Sequence, residues 1–169
     1  YLRRGVTLPV WMHGAGHEQG RRAGTENILE IVGMGEAARI ARIEMSEEIT
    51  RLQTLRDLLW QTLQTALPDR VFLHGHPTAR LCNTLNVGFS DLRGFDLAQD
   101  LQDRVACSLG SACHSNAHGM SSVLQVMGIS PQTGIGALRL SLGRMTQPKE
   151  IEEAANALVY AAKQRYSSL

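Results

Sequence analysis

The longest regular pattern in the chain runs from Asn27 to Ala66. This stretch contains no proline, and its apolar residues recur at the three- and four-residue spacing of an α-helix. It predicts one long helix, with Ser46 as the candidate position of a bend. Pro68 and Asp69 end the pattern, because proline cannot continue a helix.

After this helix, short apolar runs alternate with helical patterns. Extended segments are predicted at residues 71–73, 84–89, 105–109 and 137–142, and short helices at 96–104 and 122–127. A closing amphipathic helix follows, with Thr146 as its predicted N-cap. The alternation predicts an α/β fold, built as a mixed sheet with helices on one face.

The segment before the long helix has a different character. Residues 6–12 favour extended structure, whereas residues 13–25 contain four glycines and two adjacent arginines, Arg21 and Arg22. Thr25 stands just before the helix, where free N–H groups and a hydroxyl suit a phosphate. The pattern is neither a P-loop nor a dinucleotide fingerprint. From the residues alone, a structural turn and a phosphate clamp both remain open.

Composition narrows the class of protein. The chain has 169 residues, of which 43% are hydrophobic and 20% charged, and a net charge of +1. We therefore expect a globular protein without a nucleic-acid or membrane partner, and a cytoplasmic location. Three cysteines are an odd number, so reduced thiols are expected rather than a disulfide framework. Because the chain opens at Tyr1 without methionine, we expect it to be part of a longer protein.

Cys113 is the cysteine most suited to chemistry. It lies among small and polar residues beside His114, and a neighbouring protonated histidine favours the nucleophilic thiolate. A free cysteine that only fills a loop is the alternative. A zinc site with Cys107, His114 and His118 is a weaker one, because the spacing matches no paired-cysteine motif, and no metal is expected. Cys107 itself and Cys82 are interpreted as structural.

Arg139 is the second candidate, because it interrupts the apolar run 137–142. An arginine inside a strand needs a partner, and its planar fork can grip a carboxylate with two hydrogen bonds. An internal salt bridge to an aspartate or glutamate would explain it equally well. His74 and His76, which flank a glycine turn, are interpreted as solvated.

Several segments, taken together, resemble one enzyme family. They are HGAGHEQGRRAGTEN at 13–27, NTLNV at 83–87, GSACHS at 110–115 and LRLSLGRMT at 138–146. In this order they are similar to the cysteine desulfurases, in the group close to NifS, IscS and selenocysteine lyase. The resemblance covers essentially the whole chain, but only the C-terminal portion of the family's proteins.

The resemblance implies a fold and a division of the chain. The fold would be the small domain of a fold-type I pyridoxal phosphate enzyme together with an edge of its large domain. Residues 1–26 would supply a strand and a phosphate-contacting loop of the large domain. Residues 27–66 would form the connecting helix, and residues 67–169 the small α/β domain with the catalytic-cysteine loop.

The resemblance also implies an activity. These enzymes use pyridoxal 5'-phosphate to convert L-cysteine to L-alanine, and an enzyme cysteine keeps the sulfur as a persulfide. Cys113 would be that sulfur acceptor, and Arg139 would bind the substrate carboxylate. Thr25 would reach the cofactor phosphate of the other subunit, which implies a homodimer. A sulfur acceptor such as an iron–sulfur scaffold protein is the expected partner.

Only two lysines are present, and neither has the sequence context of the family's cofactor lysine. Lys149 begins a helix and Lys163 lies on an exposed helix face. We therefore expect the cofactor attachment site to be missing from this chain, and the chain by itself to be inactive. Two alternatives stay open: a selenocysteine lyase, which shares these motifs, and a non-catalytic thiol or sulfur-carrier module.

Overall fold

The computed structural model describes residues 1–109 and 119–169, which form two compact units, Tyr1–Met45 and Ser46–Leu169. The elements in chain order are α1 (Ile28–Ala66), β1 (Val71–Leu73), β2 (Thr84–Phe89), α2 (Gly94–Leu101), α3 (Ser122–Val126), α4 (Pro131–Gly134), β3 (Ala137–Ser141) and α5 (Pro148–Tyr166). The predicted long helix is confirmed as α1, which begins in the first unit and ends in the second. None of the helices in the described part of the chain combines the length and apolar character needed to cross a membrane.

The second unit is built on a three-stranded sheet in the order β1-β2-β3. Both strand pairs are antiparallel, so the α/β class is confirmed but the expected mixed sheet is wrong. The register sets Leu85 opposite Leu140 and Asn86 opposite Arg139. Because side chains alternate along a strand, these two pairs lie on opposite faces of the sheet.

The three longer helices, α1, α2 and α5, cover one face of this sheet, as predicted, whereas the short α4 lies against the other face beside Gly88. Apolar side chains of β2 and β3 share one buried core with the second half of α1, with α2 and with α5. The fully buried members include Leu63, Leu85, Leu97, Leu138 and Leu158. The other face of the two strands carries the polar side chains, and it is the face that concerns function.

Two predicted details of the second unit are wrong. Residues 105–109 form no strand: Val105 N donates to Leu101 O and continues the turn that ends α2, and only Ser108 pairs with β3. Thr146 is not the N-cap of α5, because its hydroxyl accepts a hydrogen bond from Gly143 N. Gln147 is the N-cap residue, and its backbone N–H donates to the Glu150 carboxylate over 2.7 Å.

The first unit lacks a core of its own. The strand expected within residues 1–26 is not formed, and the described backbone there makes only isolated bridges, from Met12 and from His17 to Arg22. A strand needs a continuous ladder with a neighbour, which this segment does not have. Its apolar side chains are exposed, Trp11 by 89%, and so are those of the first turns of α1. The unit therefore presents an apolar surface.

Candidate functional site

Arg139 lies in the middle of β3, on the polar face of the sheet. Its neighbours Leu138 and Leu140 point into the core, whereas its own side chain is exposed. The guanidinium donates one hydrogen bond, from Nη2 to Ser108 Oγ over 3.3 Å. It forms no ion pair with any described residue, so the internal salt bridge considered from the sequence is not what this arginine makes. Most of its donors remain available for a ligand.

Ser108 is joined to Arg139 through the backbone as well. Ser108 N donates to Arg139 O over 3.0 Å, and Arg139 N donates to Ser108 O over 2.7 Å. Ser108 was not predicted as a functional residue, because a serine in an apolar run carries no distinctive signal. It stands five residues before Cys113 in the sequence. Cys113 itself lies outside the described residues, as do His114 and His118 of the zinc alternative.

A buried histidine contacts Asn86, the β2 residue that pairs with Arg139. Asn86, opposite Arg139 in the sheet, places its Oδ1 atom 2.8 Å from His74 Nδ1. His74 is only 3% exposed, so its interpretation as a solvated turn residue is wrong. Its amide donates to Asn86 O, which extends the β1–β2 ladder by one residue and carries the ring inside.

The surroundings of the His74 ring favour its neutral form. Burial lowers its pKa, because the charged imidazolium is poorly solvated there, and the contact with Asn86 opposes this only in part. In the neutral ring Nδ1–H donates to the Asn86 oxygen, and Nε2 has no hydrogen-bond partner among the described residues. His74 therefore supports Asn86 and does not act as an exposed base.

The two cysteines that the structure describes have the structural character that the sequence predicts. Cys82 and Cys107 are both partly buried and packed against the core. Burial raises the pKa of the Cys107 thiol, which keeps it protonated and poorly nucleophilic. Neither thiol competes with Cys113 as the candidate nucleophile.

Thr25 belongs to the first unit, where it precedes α1. Its side chain is exposed, and its hydroxyl makes no hydrogen bond to a described residue. The guanidinium of Arg22 donates to three successive carbonyl oxygens, those of Ala23, Gly24 and Thr25, over 3.1 to 3.4 Å. This arrangement holds the loop by its carbonyl groups and leaves the Thr25 hydroxyl free. A free hydroxyl beside a helix N-terminus fits a phosphate oxygen.

A second contact closes the same loop. His17 Nδ1 lies 3.0 Å from both carboxylate oxygens of Glu26. A backbone hydrogen bond within Glu26 and the contact with His17 lower the pKa of this carboxyl group. The sequence analysis singles out neither residue for function, although a histidine and a carboxylate on either side of the loop are a usable signal. Within residues 1–109 and 119–169, no three histidine, cysteine, aspartate or glutamate residues are arranged to hold a metal ion.

Comparison with known proteins identifies relatives over most of the chain. The family model described as "Aminotransferase class-V" matches residues 9–153. "Cysteine desulfurase IscS" of Edwardsiella ictaluri is 43% identical over 156 residues, which cover 91% of this chain and 38% of that protein. The protein of the same name from Pectobacterium carotovorum is 43% identical over 154 residues, 90% of this chain and 37% of its own length.

Solved structures agree with these relatives. A protein titled "NIFS-LIKE PROTEIN" matches with a TM-score of 0.77 at 28% identity, covering 100% of this chain and 42% of that one. A NifS-like protein from Rickettsia africae matches with a TM-score of 0.78, and at 23% identity this likeness concerns the fold alone. The chain thus spans less than two-fifths of the length of the two curated relatives.

Proposed function

The chain belongs to the class-V aminotransferase family, and from this membership we propose that it forms the C-terminal part of a cysteine desulfurase. One observation carries the proposal. Arg139 presents a guanidinium that no described acidic residue neutralises, and its strand is bonded to the segment that leads to Cys113. An arginine without an acidic partner among the described residues, on a strand bonded to the segment that precedes a candidate nucleophilic cysteine in the sequence, suits an amino-acid substrate whose carboxylate is gripped while its sulfur is removed.

Arg139 would bind and orient the substrate. Its fixed fork of donors matches the two oxygens of an α-carboxylate, which a lysine could not match as a point charge. The buried neighbours Leu138 and Leu140 hold the strand backbone, so the position of the arginine is set by the core. Binding the carboxylate here limits the orientations in which the substrate sulfur can be presented.

Thr25 would donate its hydroxyl to the cofactor phosphate, in the other subunit of a homodimer. The free hydroxyl, the helix N-terminus and the loop held by Arg22 fit a phosphate group. Pyridoxal 5'-phosphate, when bound, supplies the electron-withdrawing ring that makes the substrate sulfur open to attack. The exposed apolar side chains of the first unit support the proposal that this unit is covered in the full-length dimer.

Cys113 would accept the sulfur. Its thiolate attacks the sulfur of L-cysteine, an S–S bond forms as the carbon–sulfur bond breaks, and the carbon receives that electron pair and a proton. L-Cysteine and the enzyme thiol thus become L-alanine and an enzyme persulfide, and no external oxidant or reductant is needed. A sulfur acceptor such as an iron–sulfur scaffold protein would then take the persulfide sulfur, in the cytoplasm.

The 169 residues by themselves are proposed to be inactive. Lys149 lies in the first turn of α5, highly exposed, with its Nζ atom 3.7 Å from the Glu153 carboxylate. Lys163 is exposed near the end of the same helix. Neither is placed where burial or a neighbouring cation would activate it for cofactor attachment.

The test uses the full-length protein loaded with its cofactor. L-Cysteine should yield equal amounts of alanine and, with a reductant, sulfide. Cys113→Ser should lower this turnover by at least about 100-fold, whereas Cys82→Ser should leave it nearly unchanged. Full turnover in the Cys113→Ser protein would reject the proposal. Turnover of selenocysteine but not of cysteine would change the substrate assignment to the lyase.

A further inference from the structure

We propose that Ser108 is a positioning residue that fixes the Arg139 guanidinium for substrate binding. The inference rests on the proposed function, in which Arg139 grips the carboxylate. Ser108 Oγ accepts a hydrogen bond from Arg139 Nη2 over 3.3 Å, and the two residues exchange both backbone hydrogen bonds. Ser108 is thus joined to Arg139 at both the base and the head of the side chain.

The Arg139 guanidinium needs such a contact because no other described group holds it. Arg139 is exposed and has no ion pair within the described ranges, and a free arginine side chain has considerable rotamer freedom. The neighbouring Asn86 has its side-chain oxygen 2.8 Å from His74. The Ser108 hydroxyl is therefore the described group that restricts the guanidinium before a substrate arrives.

Pre-orientation has a specific kinetic consequence. A carboxylate that meets a guanidinium already in place does not have to immobilise that side chain on binding. Without the Ser108 hydroxyl, substrate binding must also order the arginine, so the affinity for the substrate falls. The carboxylate is held alike before and during sulfur removal, which makes this a uniform binding contribution. Removing the hydroxyl should then raise KM and leave kcat nearly unchanged.

The position of Ser108 in the chain adds a second link. Its backbone pair with Arg139 is the point at which the segment leading to Cys113 joins the sheet. An alanine at this position keeps both backbone hydrogen bonds and removes only the hydroxyl. The side-chain contribution can therefore be measured without detaching that segment.

The experiment compares variants of the full-length, cofactor-loaded protein. Ser108→Ala should raise KM for L-cysteine by about 5- to 20-fold, with kcat within about twofold of the wild type. Ser108→Thr and Ser108→Val form a matched pair of similar size, of which only the first keeps the hydroxyl. The threonine variant should have a KM near that of the wild type, whereas the valine variant should have the raised KM of Ser108→Ala. Ser141→Ala is the control, because Ser141 lies on the same strand, two residues from Arg139, and its KM should not change.

A measurement independent of turnover uses the product. The dissociation constant of L-alanine, measured by calorimetry, should rise in the Ser108→Ala and Ser108→Val proteins by a factor similar to the rise in KM. If the alanine variant folds poorly, the threonine and valine pair decides the question. Equal KM values for that pair would overturn the proposal, as would a fall in kcat at unchanged KM.

An Arg139→Gln variant distinguishes the carboxylate-binding role of Arg139 from the positioning role of Ser108. If it leaves KM unchanged, the carboxylate role of Arg139 fails, and the role of Ser108 fails with it. If Arg139→Gln raises KM and the loss of the Ser108 hydroxyl does not, only the positioning role is rejected. In the double variant Ser108→Ala/Arg139→Gln, the serine change should have no further effect, because the group that it orients is gone.

Discussion

Arg51 Nη1 donates a hydrogen bond of 2.7 Å to the backbone carbonyl of Thr146, 95 residues later in the chain. Arg51 Nη2 reaches the carbonyls of Gly143 and Arg144 in the same turn, over 3.2 and 2.9 Å. This turn follows β3, the strand that carries Arg139. One side chain of α1 therefore holds the connection between the functional strand and α5.

The same helix provides a matched control for this contact. Arg39 donates two hydrogen bonds of 2.7 Å to the Glu36 carboxylate, three residues earlier in the helix. Arg51 donates two hydrogen bonds of 2.8 Å to Glu48 at the same spacing. Arg39 has no such long-range bond in the described structure. Arg51→Ala should lower the thermal unfolding midpoint by at least about three times as much as Arg39→Ala, because exposed ion pairs alone contribute little. Equal shifts in calorimetry would show that the turn is held by other groups.

The burial of His74 predicts a pH dependence of stability. Its pKa is lowered in the folded state, so below about pH 6.5 the unfolded chain binds a proton that the folded chain does not. The free energy of unfolding should therefore fall as the pH drops below that value, by at most about 1.4 kcal/mol per pH unit from this group. Urea unfolding between about pH 5 and pH 7 measures the slope.

Replacing each histidine of the turn separates the effect of His74 from other titrations. His74→Gln should reduce the slope, whereas His76→Gln should not, because His76 is exposed. An unchanged slope in the His74→Gln protein would mean that the buried ring does not control stability in this range.

His74 also shows how far sequence reasoning reaches. The periodicity of α1, α5, β2 and β3 was sufficient to predict these elements, because each keeps one regular apolar face over several residues. The sequence HGHP around His74 reads as a turn, and nothing local reveals that its first residue continues a ladder with Asn86. Burial of this kind depends on the partner strand, which lies twelve residues later.

The candidate site divides in the same way. Arg139 could be found because a charge stood inside an apolar run, whereas Ser108 could not, since its contacts with Arg139 are visible in the described structure and not in the sequence. The apolar residues of segment 105–109 predict a strand, but the backbone N–H of Val105 bonds to Leu101 O in the turn that ends α2. Local composition thus identified the charged member of the pair, and only the tertiary contact identified the other.

Gly88 is predicted to be irreplaceable for steric reasons. A Cβ atom there would lie 2.6 Å from His74 Nε2 and would also collide with the backbone carbonyl of Thr133. Gly88→Ala should therefore destabilise the protein by about 2–3 kcal/mol, as overpacking of a core does. Gly143→Ala is the control, because a Cβ atom at Gly143 meets nothing within 4 Å. A Gly88→Ala protein with the urea midpoint of the control would contradict this packing.

The contact between His17 and Glu26 predicts an effect on the cofactor rather than on the substrate. It joins the two ends of the loop that presents Thr25, and its Nδ1–oxygen distances are 3.0 Å. Glu26→Gln removes the charge but keeps the size, so the loop should sample more conformations and the proposed phosphate contact should weaken. In the full-length protein the dissociation constant of pyridoxal phosphate should rise by about two- to fivefold, because a half-exposed pair contributes modestly. KM for L-cysteine at saturating cofactor should stay unchanged, since Arg139 is untouched.

Glu18→Gln tests the specificity of the effect, because Glu18 lies in the same loop without a comparable contact in the described structure. If both variants weaken cofactor binding equally, the effect comes from the overall charge of the loop and not from the His17–Glu26 pair.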